Sequence, residues 1–273
     1  MNMEDFIMQR ELNKNVNIRV VTSNDLIVAK ELSVLPLNSR KLLYLAISQC
    51  KRSDQEFFEY TMSIKDFAEM MDIDDSNVYR YGKAKKITGS LMGLVLECDL
   101  GDGYEQYSLF SKCSYVPKDG MIKFKLNPDM TKFLLNVNKN FSQPLLNDFL
   151  HMNSPYSMEI WHLMQREMKS KKPSMTEVFE FDLSLDELRR VTGTEEKLRQ
   201  ISQFKEKVLD KAIREIRDNC AVVIEYDNIK SGRRITGFHF MAKHEYHVDM
   251  SDISPDILKR VKETKKRLNL RNK

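Results

Sequence analysis

A short pattern occurs twice in this chain, and any fold it adopts has to accommodate both copies. Phe58-Glu59-Tyr60-Thr61-Met62-Ser63-Ile64-Lys65-Asp66-Phe67 is matched by Phe179-Glu180-Phe181-Asp182-Leu183-Ser184-Leu185-Asp186-Glu187-Leu188, an offset of 121 positions. That period is far too long for a stacked-repeat array, whose units run to about 20–50 residues. Each copy begins with the alternation of a half-buried strand. It then reaches Ser63 or Ser184, whose hydroxyl suits a helix N-cap because it can accept an orphan backbone N–H of the first turn. Each copy therefore reads strand, cap, short helix.

The flanks agree. Upstream, Ser39 to Lys51 carries Leu42, Leu43, Ala46, Ile47 and Cys50 on one helical face, and Tyr156 to Met168 carries Ile160, Trp161, Leu163, Met164 and Met168. Downstream, a turn precedes a longer basic helix: about Asn77 to Leu91 in the first copy, and Leu198 to Arg217 in the second, with Phe204, Val208, Ala212, Ile213 and Ile216 inward. Strands at Leu94–Glu97 and Val222–Glu225 follow. Each leads through a glycine turn, Gly101-Asp102-Gly103 or Lys230-Ser231-Gly232-Arg233-Arg234, into a returning strand, Tyr104–Phe110 or Ile235–Met241. A short helix is expected at Met130–Leu135, in a stretch punctuated by Pro128, Pro144 and Pro155.

Helix, strand, helix, turn, helix, strand, wing, strand is the winged-helix form of the helix-turn-helix. The expected fold class is α+β, with tandem winged-helix domains related by internal duplication. The alternative is another small α+β unit used twice; a basic third helix in both copies favours the winged helix. The expected organisation is an N-terminal arm (1–23), a first winged-helix domain (24–136), a second (137–250) and a basic tail (251–273).

Charge points the same way. The chain carries +4, but eight Lys or Arg face only Asp256 and Glu263 between Pro255 and Lys273, and Ser76 to Leu96 has Arg80, Lys83, Lys85 and Lys86 with no acid. Basic stripes on a near-neutral body suit a protein that grips phosphate with chosen faces. The tail can equally bind DNA non-specifically or form a solvated terminal helix.

Other classes lack their signatures. No apolar run approaches the ~20 residues of a membrane span, and Met1 to Asn17 has no apolar core of a secretory leader. Cys50, Cys98, Cys113 and Cys220 form no CxxC pair, which suits a reducing cytoplasm and argues against a zinc module. There is no GxxxxGK[ST], GxSxG or HExxH motif. A nicking enzyme would need a His-hydrophobic-His metal pair; the nearest approach is His239, His244, Glu245 and His247 with Tyr246. The expectation is no enzyme, no catalytic residue, no metal and no cofactor.

Three runs carry a family resemblance: Leu37-Asn38-Ser39-Arg40-Lys41-Leu42-Leu43-Tyr44-Leu45-Ala46; Tyr156-Ser157-Met158-Glu159-Ile160-Trp161; and Phe204-Lys205-Glu206-Lys207-Val208-Leu209-Asp210-Lys211-Ala212-Ile213-Arg214-Glu215-Ile216. Spanning about Asn24 to Lys243, the chain resembles the replication initiators of iteron-containing plasmids. The resemblance implies monomer binding to direct-repeat iterons at an origin. It also implies a homodimer, in equilibrium with the monomer, that represses its own gene at an operator inverted repeat, with the first domain (24–136) for dimerisation and phosphate contacts and the second (137–250) as main DNA reader. A host initiator and replicative helicase are implied as partners. Leu198-Arg199-Gln200-Ile201-Ser202-Gln203 lacks the aromatic often found there in the family, so the iteron sequence does not transfer. A dimeric winged-helix transcriptional regulator without origin function is the alternative, and a metal-dependent nicking enzyme the third.

A recognition helix reads base edges with its N-terminal residues, and Arg and Gln pair bidentately with guanine and adenine. Arg199, Gln200, Ser202, Gln203 and Lys207 are the candidate readers, with Lys205 as a phosphate contact. Lys230, Arg233 and Arg234 form a cationic wing suited to phosphate or minor groove. In the first copy Tyr79, Arg80, Lys83, Lys85 and Lys86 suit phosphate positioning. Gly82 and Gly89 weaken that helix by roughly 1 kcal/mol each relative to Ala, unless they permit a close backbone approach.

Overall fold

The computed structural model describes residues 18–27, 29–50, 54–70, 81–99, 101–116, 118, 120–135, 137, 140–171, 178–220 and 222–244. β1 (Thr22–Ser23) and α1 (Asn24–Ile27) lead through a 3-10 turn, Lys30–Val34, into α2 (Leu37–Ser48). β2 (Tyr60–Ser63), α3 (Ile64–Met70) and α4 (Tyr81–Met92) follow, then β3 (Val95–Asp99), β4 (Tyr104–Ser108), β5 (Phe110–Val116) and β6 (Met121–Leu126). α5 (Thr131–Leu134), β7 (Phe141–Ser142) and α6 (Leu146–Leu150) connect to α7 (Pro155–Lys171). The second unit continues with β8 (Phe179–Ser184), α8 (Leu185–Thr192) and α9 (Ile201–Phe204). A π turn, Lys205–Leu209, joins α9 to α10 (Asp210–Cys220), and β9 (Val222–Ser231) and β10 (Arg234–His244) complete the unit.

The duplication is visible in the sheets. Their strand orders are β2-β6-β5 and β8-β10-β9, all antiparallel, so the last strand of each unit lies in the middle. Thr61 pairs with Lys123 and Asp182 with His239. Thr61 and Asp182 are related by the sequence offset, so the repeat register survives in the pairing.

The first wing is not where the glycines suggested. A hairpin does turn around Gly101-Asp102-Gly103, but β3 and β4 form a separate two-stranded sheet. The partner of β2 is β6, and the hairpin equivalent to β9–β10 is β5–β6. The reason is burial: residues 104–106 of β4 are exposed, whereas Ile122, Phe124 and Leu126 of β6 are buried. Only such a strand can cover Tyr60 and Met62, and the Tyr60 and Phe124 rings lie 5.8 Å apart.

α2 is buried on every side from Ser39 to Ile47, as a helix at the centre of a core must be. Three consecutive polar residues there reach three different elements. Ser39 Oγ donates to Ile87 O of α4 at 3.3 Å. Arg40 donates to Glu159 of α7 and to Pro155 O at 3.2 Å. Lys41 Nζ donates to Leu150 O of α6 at 2.6 Å. Nearby, the fully buried His162 of α7 bonds Thr22 Oγ1 at 3.0 Å and Tyr44 Oη at 3.2 Å. A neutral imidazole offers one donor and one acceptor, which two hydroxyls can satisfy. Burial, followed by the Arg40 charge, lowers its pKa to about 3, so the ring stays neutral in water of ordinary pH.

Two glycines are required by close approach. A Cβ on Gly193 (φ 60°) would lie 2.6 Å from Ser33 Oγ, and one on Gly237 would lie 2.7 Å from Leu183 O beside the β10 bulge.

Candidate nucleic-acid interface

The helix-turn-helix of the second unit is built from its caps outward. Ser184 Oγ accepts from Glu187 N at 3.1 Å, capping α8. Arg166 Nη1 donates to Glu187 Oε1 at 2.7 Å, tying α8 to α7. α8 ends at Gly193 in the left-handed region, with Thr194 N donating to Arg189 O at 2.9 Å.

The turn that follows is organised by Arg189. Its guanidinium donates to the carbonyls of Thr194 (2.8 Å), Lys197 (3.1 Å), Leu198 (3.0 Å) and Arg199 (3.2 Å). It also lies 4.8 Å from the centre of the Phe204 ring. Leu198 has a positive φ of 49°, an uncommon conformation for a branched residue, held where Arg189 grips the carbonyls around it. Sequence reasoning missed this role. The only local signal is an arginine five positions before a polar turn, which surface helices commonly show.

The helix starts at Ile201, later than the expected Leu198. Arg199 therefore lies in the turn, exposed and paired with Glu196, and Gln200 occupies the N-cap position without a side-chain cap bond. Branched Leu198 at positive φ cannot begin a helix, which accounts for the shift. Ser202 and Gln203 are exposed in the first turn. Phe204, Val208, Leu209, Ala212 and Ile216 are buried below it. Lys207 is exposed, as are Lys211 and Arg214, two cations further along the helix that the sequence reading did not single out.

The wing stands next to this helix. Lys230, Arg233 and Arg234 are exposed around Gly232, whose φ of 62° makes the turn. Lys205 Nζ donates to Asn228 Oδ1 at 3.3 Å and lies 5.2 Å from the centre of the Tyr226 ring. Tyr226 Oη donates to Asp210 Oδ1 at 2.7 Å. Two bonds thus pin β9 to the helix that precedes it.

In the first unit Lys85 and Lys86 are exposed on α4, opposite buried Ala84, Ile87, Thr88 and Leu91. Tyr79 and Arg80 lie outside the described residues. Lys83 lies in α4, with its side chain outside them. A Cβ on Gly89 would meet nothing within 4 Å, so this glycine serves no close approach. Lys118, exposed beside the turn between β5 and β6, sits at the wing that sequence reasoning placed elsewhere.

His239 Nδ1 lies 2.7 Å from Asp182 Oδ1, the main cause of its raised pKa, and its Nε2 lies 3.5 Å from Glu180 Oε2. Among the described residues no group of three or more His, Cys, Asp or Glu could hold a metal ion. His244 pairs with Val222 at the end of β10; Glu245, Tyr246 and His247 lie outside the described residues. No helix among the described residues is long and apolar enough to cross a membrane.

These features define two winged helices in tandem, each with a short helix, a longer helix and a hairpin among the described residues. The chain belongs to the initiator replication protein family: residues 19–165 match its first winged-helix model (Initiator Replication protein, WH1) and residues 184–242 its second (Initiator Rep protein, WH2). Both models describe initiators and neither describes an enzyme. Among solved structures the chain is similar to the Pi initiator protein in complex with iteron DNA. That likeness has 20% identity and a TM-score of 0.70, and covers 84% of this chain and 98% of that one. A slighter likeness, at 12% identity and a TM-score of 0.43, is to domains 2 and 3 of RctB, covering 81% of this chain and 83% of that one.

Proposed function

We propose that this protein initiates plasmid replication by binding directly repeated duplex sites, or iterons, at an origin as a monomer. As a dimer it represses its own promoter at an operator inverted repeat. The observation that carries the reading is the junction at Lys205, where the start of the exposed polar helix is bonded to the strand bearing the cationic wing. Such a pairing lets one domain present side chains to the major groove and cations to the flanking backbone. The initiator resolved on iteron DNA, to which the chain is similar, supports the same reading.

Arg199, Gln200, Ser202, Gln203 and Lys207 read bases, with Lys205, Lys230, Arg233 and Arg234 on phosphate or minor groove. Tyr79, Arg80, Lys83, Lys85 and Lys86 of the first domain clamp phosphates, and that domain (24–136) carries dimerisation. The second domain (137–250) is the main reader; an N-terminal arm (1–23) precedes the first domain and a basic tail (251–273) follows the second. A host initiator and a replicative helicase are the cytoplasmic partners of the DNA-bound monomer.

Footprinting on the DNA next to the gene tests this. Protection of evenly spaced direct repeats is expected; protection of a lone inverted repeat only would identify a transcriptional regulator instead.

A further inference from the structure

The two duplicated sheets present outward faces of opposite charge. Residues opposite one another in register share a face. On the second sheet that face carries Glu180 and Asp182 of β8, His239, Met241 and, at its end, exposed Lys243 of β10, and Glu225 and Asp227 of β9. Four carboxylates thus flank a single histidine, and Asp182, Glu180 and Asp227 all act electrostatically on it. On the first sheet the corresponding face carries Thr61 of β2, Lys123 and Lys125 of β6, and Lys112 and Ser114 of β5. All three lysines act on Glu59.

The contrast belongs to the faces as wholes, and the matched positions show how it arises. Through the pairing registers Lys112 corresponds to Glu225, Ser114 to Asp227, Thr61 to Asp182, Lys125 to Met241 and Lys123 to His239. Lys112 and Glu225 reverse sign outright; Ser114, Thr61 and Met241 stand uncharged opposite a charged counterpart, Lys123 and His239 are both basic, and Glu59 and Glu180 are both acidic. Both faces reach solvent: the Lys112 and Asp182 side chains are 56% and 67% exposed. The duplication gives two sheets of matching strand order and register, so charged positions of one can be set opposite those of the other. Here the faces also carry opposite charge.

We propose that the outward face of the first sheet docks on the outward face of the second sheet of another copy of this chain. The contact is heterologous, so each added copy leaves one basic and one acidic face open, and association is not closed at a dimer. Small and electrostatic, it is weak in free solution and falls with salt. On tandem sites, if the DNA reading above holds, it joins neighbours related by translation, where their local concentration is high.

The test uses the full chain without DNA, so its outcome is separate from the DNA reading. Sedimentation velocity at low salt, about 50 mM, is expected to show species larger than a dimer that recede at least tenfold by about 300 mM. K123E/K125E makes both faces acidic, and D182K/D227K makes both basic. Each variant alone is expected to lose those species, an equimolar mixture to recover them, and the chain carrying all four changes to recover them as well. The proposal is overturned if K123E/K125E associates like the unaltered chain. It is overturned too if the mixture fails while both variants keep native circular dichroism. Loss of the species on ending the chain at residue 250 also overturns it, since the basic tail is then the occupant of the acidic face. Should the variants misfold, the unaltered chain decides: no species beyond a dimer at low salt overturns the proposal.

Discussion

The guanidinium of Arg40 in α2 grips the carboxylate of Glu159 in α7, and neither side chain reaches solvent. These residues lie in two of the three runs that carry the family resemblance. Arg40 also donates to the Leu32 and Pro155 carbonyls. α2 is thereby fastened to α7. Burial raises the Glu159 pKa and the Arg40 charge opposes that rise.

Removing one partner leaves a buried charge uncompensated, which costs about 3–5 kcal/mol. Arg40→Ala and Glu159→Gln are therefore each expected to lower stability by that order in urea unfolding. R40M/E159M, which removes both charges at similar volume, is expected to recover most of the loss, the more so because Arg40 Nε is buried with no partner among the described residues. A double variant no more stable than the singles would show that the pair is not held by charge compensation.

Two glycines separate in opposite directions. Gly89→Ala in α4 meets no atom and has no positive φ, so it is expected to stabilise the chain by about 0.5–1 kcal/mol. Gly193→Ala combines a φ of 60° with a 2.6 Å approach to Ser33 Oγ and is expected to destabilise by about 1–3 kcal/mol. Thermal unfolding measures both; two shifts of the same sign would refute the assignment.

Much of the fold was legible because periodicity survives duplication. The strand alternation and serine at each repeat, the inward stripe of the second long helix and the second wing all lie where those signals put them. The first wing was not legible: Gly101-Asp102-Gly103 does make a hairpin, and nothing local shows that its strands lack the buried face β2 requires. Burial of Ser39, Arg40 and Lys41 was equally hidden, since polar residues on a helix ordinarily face water and these are satisfied only by distant elements. The start of α9 was placed early because Arg199 and Gln200 look like helix residues until Leu198 adopts a positive φ.

The buried titrating groups give a pH prediction with two opposed signs. His162 has a pKa of about 3 in the folded chain against 6.5 when exposed. The unfolded chain takes up that proton first, and stability falls as pH drops below 6.5, by about 1.4 kcal/mol per unit. Asp148, buried and hydrogen-bonded to Trp161 Nε1 at 3.0 Å, is raised by burial to about 6 against 3.8. The folded chain holds its proton longer, so this contribution is present below pH 3.8 and is lost as pH rises to about 6. The two nearly cancel between pH 4 and 6. Asp148→Asn is expected to expose the His162 slope, losing about 2 kcal/mol from pH 6.5 to 5, and His162→Gln to reverse it. Equal slopes in urea unfolding for all three chains would exclude both assignments.

Base reading and backbone positioning separate by salt and by competitor. Arg199→Ala is expected to weaken binding to the cognate repeat by about 1–3 kcal/mol with little effect on random DNA. Its exposed pairing with Glu196 is worth too little to compete. Lys85→Ala or Lys86→Ala is expected to weaken both DNAs alike and make the salt slope shallower by about one unit. Gel shifts across a salt series check this; equal loss on both DNAs for Arg199→Ala would remove it from base reading.

On the proposed base reading by Arg199 and Gln200, Arg189 acts one step back from the DNA, because the four carbonyls it binds are those of the turn that leads into them. Lysine offers a point charge where arginine offers a planar fork, so it cannot span all four. Arg189→Lys is therefore expected to keep the net charge and the salt slope while losing roughly tenfold in preference for the cognate repeat, about 1.4 kcal/mol. Random-DNA affinity should stay within error. A change in the salt slope instead would mean that Arg189 meets phosphate itself, and an unchanged preference would mean that the turn holds its shape without it.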